Sequence, residues 1–270
     1  MDMNYKLLAL DLDDTLLGDD YAISPRNLEA LRKAALMGVK ITLATGRMFR
    51  SALPYARQIG VELPIITYHG ALIREITGEQ RVLRQWGVPR ELAFEIIRFG
   101  EAEGFHFNLY HNDRLYVKEE NENTRYYQSI ASIPLEVVRD LTEYLEQISD
   151  EPTKLTVVNR QGRLPGLQDK LLEKYAEELS IVLSRSDFLE MTHNEATKGR
   201  ALKFLAEREN ISISDVIAIG DNYNDVDMLQ CAGLGVAMGN APLDVQAAAD
   251  LVTGTYTEDG VALFLEKYIL

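Results

Sequence analysis

The sequence predicts an α/β fold, a parallel sheet covered by helices and interrupted by an inserted α+β segment. Three observations predict it. Short apolar runs alternate with helix signals between Leu7 and Thr67. The pattern gives way after Arg81 to polar and aromatic strand-like pieces. The first style then returns near Thr197.

Leu7 to Leu10 is a short apolar run that stops at a cluster of aspartates, the length of a buried parallel strand. A helix follows: Ser24 suits the N-cap, Pro25 the first helical position, and Leu28, Leu31 and Ala35 recur at helical spacing up to a stop at Gly38. Val39 to Ala44 is a second buried strand, ending at Thr45-Gly46-Arg47, and a helix runs from Phe49 to Ile59. Leu63 to Thr67 is a third strand, ending at Tyr68-His69-Gly70. This alternation implies right-handed crossovers. In the different middle region, Phe105 to Tyr110, Leu115 to Lys118 and Lys154 to Asn159 read as strands, the first two joined by a hairpin turn at His111-Asn112-Asp113. Amphipathic helices fill 89–103, 138–147 and 165–179. Beyond Thr197, Ala201 to Glu207 is helical, and Val216 to Ile219, Leu234 to Ala237 and Leu251 to Val252 are strands.

The 270 residues suffice for a large core without disulfides. With 28 basic and 42 acidic side chains the net charge is −14. That excess argues against nucleic acid, which asks for clustered Lys and Arg, and against anionic membranes. A phosphate substrate would have to be met by local positive charge, from a metal ion or a placed lysine. The single cysteine, Cys231, cannot form an internal disulfide, which suits a reducing cytoplasm. No basic region followed by a long apolar one opens the sequence, so no signal peptide is expected.

Four clusters fall just after a predicted strand or at the start of the next helix, the end at which open α/β sheets bind ligands. In Asp11-Leu12-Asp13-Asp14-Thr15, three carboxylates in four residues ask for neutralisation, and Mg²⁺ prefers one or two carboxylates plus substrate oxygens. Asp11 and Asp13 point the same way in an extended segment. One can act as an ionised nucleophile and the other as a protonated acid; the plain alternative is a solvated acidic turn. Thr45-Gly46-Arg47 offers a hydroxyl and free N–H groups to an anion, or simply an N-cap. Lys198 in a first helical turn opposes the macrodipole and asks for a negative partner, unless it is merely exposed. In Gly220-Asp221-Asn222-Tyr223-Asn224-Asp225, two aspartates bracket a turn and could hold a metal, while Asn224 could cap a helix.

Taken in order, DLDDT (11–15), TGR (45–47), Lys198-Gly199 and GDNYND (220–225) resemble the haloacid-dehalogenase (HAD) superfamily of phosphohydrolases, in its Cof-type branch with a large α/β cap. The resemblance implies a Rossmann-like catalytic core at 1–81 and 189–270 and a substrate-specificity cap at 82–188. It implies Asp11 as nucleophile and Asp13 as acid and base. Thr45, Gly46, Arg47 and Asn224 would bind phosphate or substrate, and Lys198 would offset charge. Mg²⁺ would sit on Asp11, the Asp13 backbone carbonyl and Asp221, with Asp225 in support. The substrate would be a small phosphorylated metabolite, a sugar phosphate or similar, in the cytoplasm. Two departures stand out. Asp14 lies where many relatives have glycine, and His69 where Cof-type relatives usually have asparagine.

Other signals are weaker. The glycines around Leu234 have the wrong spacing for a dinucleotide site, and His106, His111 and His193 share no zinc spacing. Tyr110, His111, Tyr116, Lys118 and Arg125 are candidate contacts to the rest of the substrate, or simply hairpin surface. A phosphosugar mutase on the same fold and a non-catalytic phosphometabolite-binding module are the alternative functions.

Overall fold

The computed structural model describes residues 5–131 and 133–270. They form two compact units, one from residues up to Arg84 together with Thr197–Leu270, the other from Gln85–Ala196.

The first unit starts with β1 (Leu7–Leu10), α1 (Pro25–Leu36), β2 (Lys40–Leu43), α2 (Phe49–Ile59), β3 (Ile65–Thr67), β4 (Leu72–Arg74) and β5 (Val82–Gln85). The second unit comprises α3 (Arg90–Ala102), β6 (Phe107–His111), β7 (Arg114–Val117), α4 (Glu122–Ala131), β8 (Leu135–Val137), α5 (Leu141–Gln147), β9 (Lys154–Val158), α6 (Leu164–Tyr175), β10 (Leu179–Arg185) and β11 (Phe188–His193). The chain returns to the first unit with α7 (Lys198–Arg208), β12 (Val216–Gly220), α8 (Val226–Cys231), β13 (Leu234–Ala237), α9 (Leu243–Ala248), β14 (Leu251–Val252) and α10 (Gly260–Tyr268).

Among the described residues, the first unit's main sheet runs β14-β13-β12-β1-β2, every pair parallel. Every residue of β1, β12 and β13 is buried, as expected of strands covered on both faces. A parallel bridge between Ala44 and Ile66 continues this sheet toward β3, which turns back through the antiparallel β4. Ser24 caps α1 as its sequence suggests, its hydroxyl accepting from the Asn27 amide at 3.1 Å. The buried Asn27 side chain in turn accepts from the Ala262 amide at 2.9 Å, tying α1 to α10. Gly60 ends α2 at φ +84°, a conformation that favours glycine.

The second unit is a mixed sheet in the order β10-β11-β9-β6-β7-β8, antiparallel except where β8 joins β7. One face packs Phe107, Leu109, Leu155, Val157, Leu189 and Met191 into a core shared with α3, α5 and α6. The β6–β7 hairpin turns through Asn112 and Asp113, both at positive φ, the arrangement of a type I′ turn.

The sequence reading left β8, β10 and β11 unassigned, and it differs further in where the insertion ends, in where its third helix ends and at α4. It ended the insertion at 188, yet Phe188–Met191 pair with β9 and β10, so this compact unit extends to Ala196. It ran the third helix of this region to 179, but the chain leaves the helix at Tyr175 and enters β10 at Leu179. It had no helix at α4, whose run Glu122-Asn-Thr-Arg-Tyr-Tyr-Gln carries no apolar stripe. That helix is started instead by the Asn121 side chain, which accepts from the Asn123 and Thr124 amides at 2.9 and 3.1 Å.

Ser24→Ala removes a cap that nothing else near α1 replaces. A loss of about 1 kcal/mol is expected, read from the shift of the urea unfolding midpoint.

Candidate active site

Because β12, β1 and β2 are neighbours with the same direction, the residues following them emerge side by side. These are Asp221, Asp11 and Thr45-Gly46-Arg47. The sheet ladder continues into the site: the Asp11 amide donates to Ile219 at 3.0 Å, and the Ala44 amide donates to Leu10 at 2.8 Å.

Lys198, the first residue of α7, is fully buried. Its ammonium donates to Asp11 Oδ1 and to Asp225 Oδ1, each at 2.6 Å. Burial disfavours its charge, but the two carboxylates outweigh that and hold it protonated well above the usual lysine range. Asp225 is a hub. Its Oδ2 accepts from the Asp221 and Asn222 amides, both at 3.0 Å. Gly220 is required there, because a Cβ would run into the Asp225 carboxyl group. The Thr15 hydroxyl donates to Asp221 Oδ1 at 2.7 Å. At the start of α7 the Gly199 amide donates to Asp227 Oδ2 at 2.8 Å, so the lysine's helix is pinned to α8.

Asp11, Asp221 and Asp225 bring carboxylate oxygens within 4.8 Å of one another. Among the described residues one buried ammonium, Lys198, meets two of them, Asp11 and Asp225, while Asp221 is met by the Thr15 hydroxyl. Burial raises the Asp11 carboxyl well above the usual range, the Asp225 and Asp221 charges add to this, and Lys198 opposes it. Burial likewise pushes Asp221 up to about 7, with Asp225 adding and the Thr15 hydrogen bond opposing. Both shifts describe carboxylates short of positive charge. Among the described residues, Asp11 Oδ2 and Asp221 Oδ2 accept no hydrogen bond, whereas both Asp225 oxygens are engaged. Hard oxygen donors, a negative surplus and two uncommitted oxygens fit a divalent cation such as Mg²⁺.

The next strand end is closed by backbone. The buried Thr45 hydroxyl accepts from the Arg47 amide at 3.1 Å. The His69 amide donates to Thr45 and the Tyr68 amide to Arg47, at 3.1 and 3.0 Å. The His69 ring lies directly on Gly46, where a Cβ would collide with it, and His69 Nδ1 meets the Asn224 side-chain amide at 3.0 Å. Asn224, Gly46 and His69 are thereby brought together. The Arg47 guanidinium, expected to bind phosphate or substrate, meets Asp13 through two bonds, Nε to Oδ2 at 2.8 Å and Nη2 to Oδ1 at 2.5 Å. Asp14 sits at φ +57°, a conformation that favours glycine, the residue the resemblance leads one to expect there.

Thr15, the last residue of the first motif, acts on Asp221. Several contributors carried no sequence signal of their own. Asp227 acts through a partner distant in the chain. Tyr21 and Tyr55, whose rings flank Arg47, are unremarkable in sequence. Conversely, three of the residues offered as substrate contacts face partners inside the second unit. His111 Nδ1 meets the Tyr144 hydroxyl at 2.9 Å, Tyr116 stacks on Tyr144 at 4.3 Å, and Lys118 pairs with Glu101 at 3.0 Å. The Cys231 thiol is pushed up to about 11 by burial, which leaves it unreactive.

Known proteins resemble this chain over nearly its full length. Residues 8–265 match the haloacid dehalogenase-like hydrolase family. The phosphatase YwpJ of Bacillus subtilis is 30% identical, the match covering 98% of this chain and 100% of YwpJ. The pyridoxal phosphate phosphatase YbhA of Escherichia coli is 29% identical over 99% of this chain and 100% of its own. The crystal structure of TM0651 from Thermotoga maritima superposes with a TM-score of 0.89 at 31% identity, covering 98% of each chain. Since the sequence likeness and the fold likeness both span the sheet end where the four motifs meet, the chain belongs to the haloacid dehalogenase-like hydrolases, in their Cof-type branch of phosphatases.

Proposed function

We propose that this protein is a Mg²⁺-dependent phosphatase that hydrolyses small cytoplasmic phosphomonoesters, sugar phosphates or similar metabolites, through an aspartyl-phosphate. The observation that carries this reading is the Asp11–Lys198–Asp225 array with Asp221 beside it. Lys198 holds the Asp11 carboxylate in place through Oδ1, and Asp11 acts as the nucleophile. Asp13, two residues on, gives its proton to the leaving alcohol and later takes one from the attacking water. Thr45 and Asn224 line the phosphoryl oxygens. Asp11, the Asp13 carbonyl and Asp221 would hold the cation, and Asp225 orients Lys198. When bound, Mg²⁺ offsets the charge of the phosphoryl group and of the carboxylates around it. The −14 net charge supports a small-molecule partner over nucleic acid. Among the described residues no helix is long and apolar enough to cross a membrane. The Gln85–Ala196 unit would select the substrate, and the other unit would carry the chemistry.

Three outcomes test this. Purified protein with Mg²⁺ releases phosphate from p-nitrophenyl phosphate, EDTA stops the release, and Asp11→Asn lowers kcat roughly 10³-fold or more. Turnover surviving in Asp11→Asn refutes the nucleophile. Lys198→Met leaves two buried carboxylates unpaired and costs about 3 kcal/mol in chelator, measured by urea unfolding, with part of the loss restored by added Mg²⁺. Mg²⁺ raises the thermal midpoint of the wild type by binding the folded state, and fails to do so in Asp221→Ala.

A further inference from the structure

The bidentate Arg47–Asp13 pair is held from behind. The Arg47 guanidinium lies over the Tyr21 ring, 5.3 Å from its centroid, and over the Tyr55 ring at 5.2 Å. Arg47 Nη1 donates to the Tyr55 hydroxyl at 3.4 Å, and that hydroxyl donates to the Tyr21 backbone carbonyl at 3.0 Å. The three residues come from three places in the chain: the loop after β1, the loop after β2, and the middle of α2. Tyr21 is odd on two counts. Its φ is +55°, a conformation a tyrosine rarely adopts, and its side chain is half-exposed, with the residue 51% accessible. Strain and exposure of this kind persist where the surroundings impose them for a purpose. The ring so placed meets a planar cation, which stacks on aromatic faces.

We propose that Tyr21 and Tyr55 are positioning residues that act through Arg47 to fix the carboxyl group of Asp13 for proton transfer. This rests on the phosphatase reading above. Arg47 contributes two parallel N–H···O bonds, which define the plane of the Asp13 carboxyl group as a single contact could not and leave each oxygen a second lone pair to carry the transferred proton. The tyrosines stop the guanidinium from turning. In the first half-reaction a bond forms between an Asp11 oxygen and phosphorus as the bond from phosphorus to the leaving oxygen breaks, and the leaving oxygen takes a proton from Asp13. In the second, water attacks phosphorus and gives its proton to Asp13 as the bond to Asp11 breaks. The position of Asp13 matters most where the leaving group cannot depart without a proton.

The test compares two esters. Nitrophenolate leaves without protonation, whereas an alkoxide does not. A panel of alkyl phosphates identifies the one the wild type hydrolyses fastest with Mg²⁺, and kcat/KM is then measured on it and on p-nitrophenyl phosphate. Tyr55→Phe and Tyr21→Ala lose roughly tenfold more on the alkyl ester than on the aryl ester, Arg47→Lys loses more still, and Asp13→Asn sets the limit. Equal losses on both esters, or no loss, overturn the proposal and leave the tyrosines structural. Circular dichroism checks each fold. Tyr55→Phe keeps the ring and deletes only the hydroxyl, so it reports even where Tyr21→Ala does not fold. A wild type that hydrolyses neither ester refutes the underlying phosphatase reading instead.

Discussion

One buried ammonium holds this site together. Lys198 sits at the first turn of its helix, where the macrodipole opposes it, and in a fully buried position, where desolvation opposes it. Two carboxylates at 2.6 Å overcome both. The rest of the arrangement serves that contact. Asp225 can meet the lysine because the Asp221 and Asn222 amides hold its other oxygen, and Gly220 gives it room. The helix of Lys198 is set by Thr197, whose side chain accepts from the Arg200 amide, and by Asp227 on the Gly199 amide. Gly70, at φ +103°, lets the β3 loop approach the Thr197 carbonyl, where any Cβ would clash.

An acidic protein acting on an anion is a paradox only at the level of totals. Exposed ion pairs such as Arg26–Glu266 and Lys6–Asp215 neutralise some of the acids but are worth little to stability. What matters is the local balance, and there three buried carboxylates stand close together, a donor set of the kind that could hold a divalent cation.

The fold was legible because its strands are short, apolar and punctuated by Asp, Thr-Gly and Gly-Asp at their ends. The gathering of Asp11, Thr45 and Asp221 at one sheet end was legible because each closes an apolar strand, and Lys198 because a lysine in a first helical turn asks for a negative partner. The contact of Arg47 with Asp13 was not legible, because the two lie 34 residues apart in the chain. Asp227, Tyr21 and Tyr55 were illegible for a related reason. Their roles come from contacts across the chain, and each is a common residue in an ordinary local context. In the second unit the polar helix α4 hid because its start depends on one asparagine cap and its interior carries no apolar stripe.

The strand order also bears on how the protein comes into being. β1 lies between β2 and β12, so its second edge waits for a strand more than two hundred residues later. Asp11 and Lys198 are 187 residues apart in sequence. On a ribosome the first strands emerge with an apolar edge unpaired while the whole Gln85–Ala196 unit is still being made. That unit has its own core and can fold as it appears, whereas the first unit stays incomplete until α7 and β12 arrive. Such non-local pairing is slow to form. The nascent chain therefore passes through a long interval of exposed strand edge, and Asp11 gains its Lys198 partner only after 197 of the 270 residues have been joined.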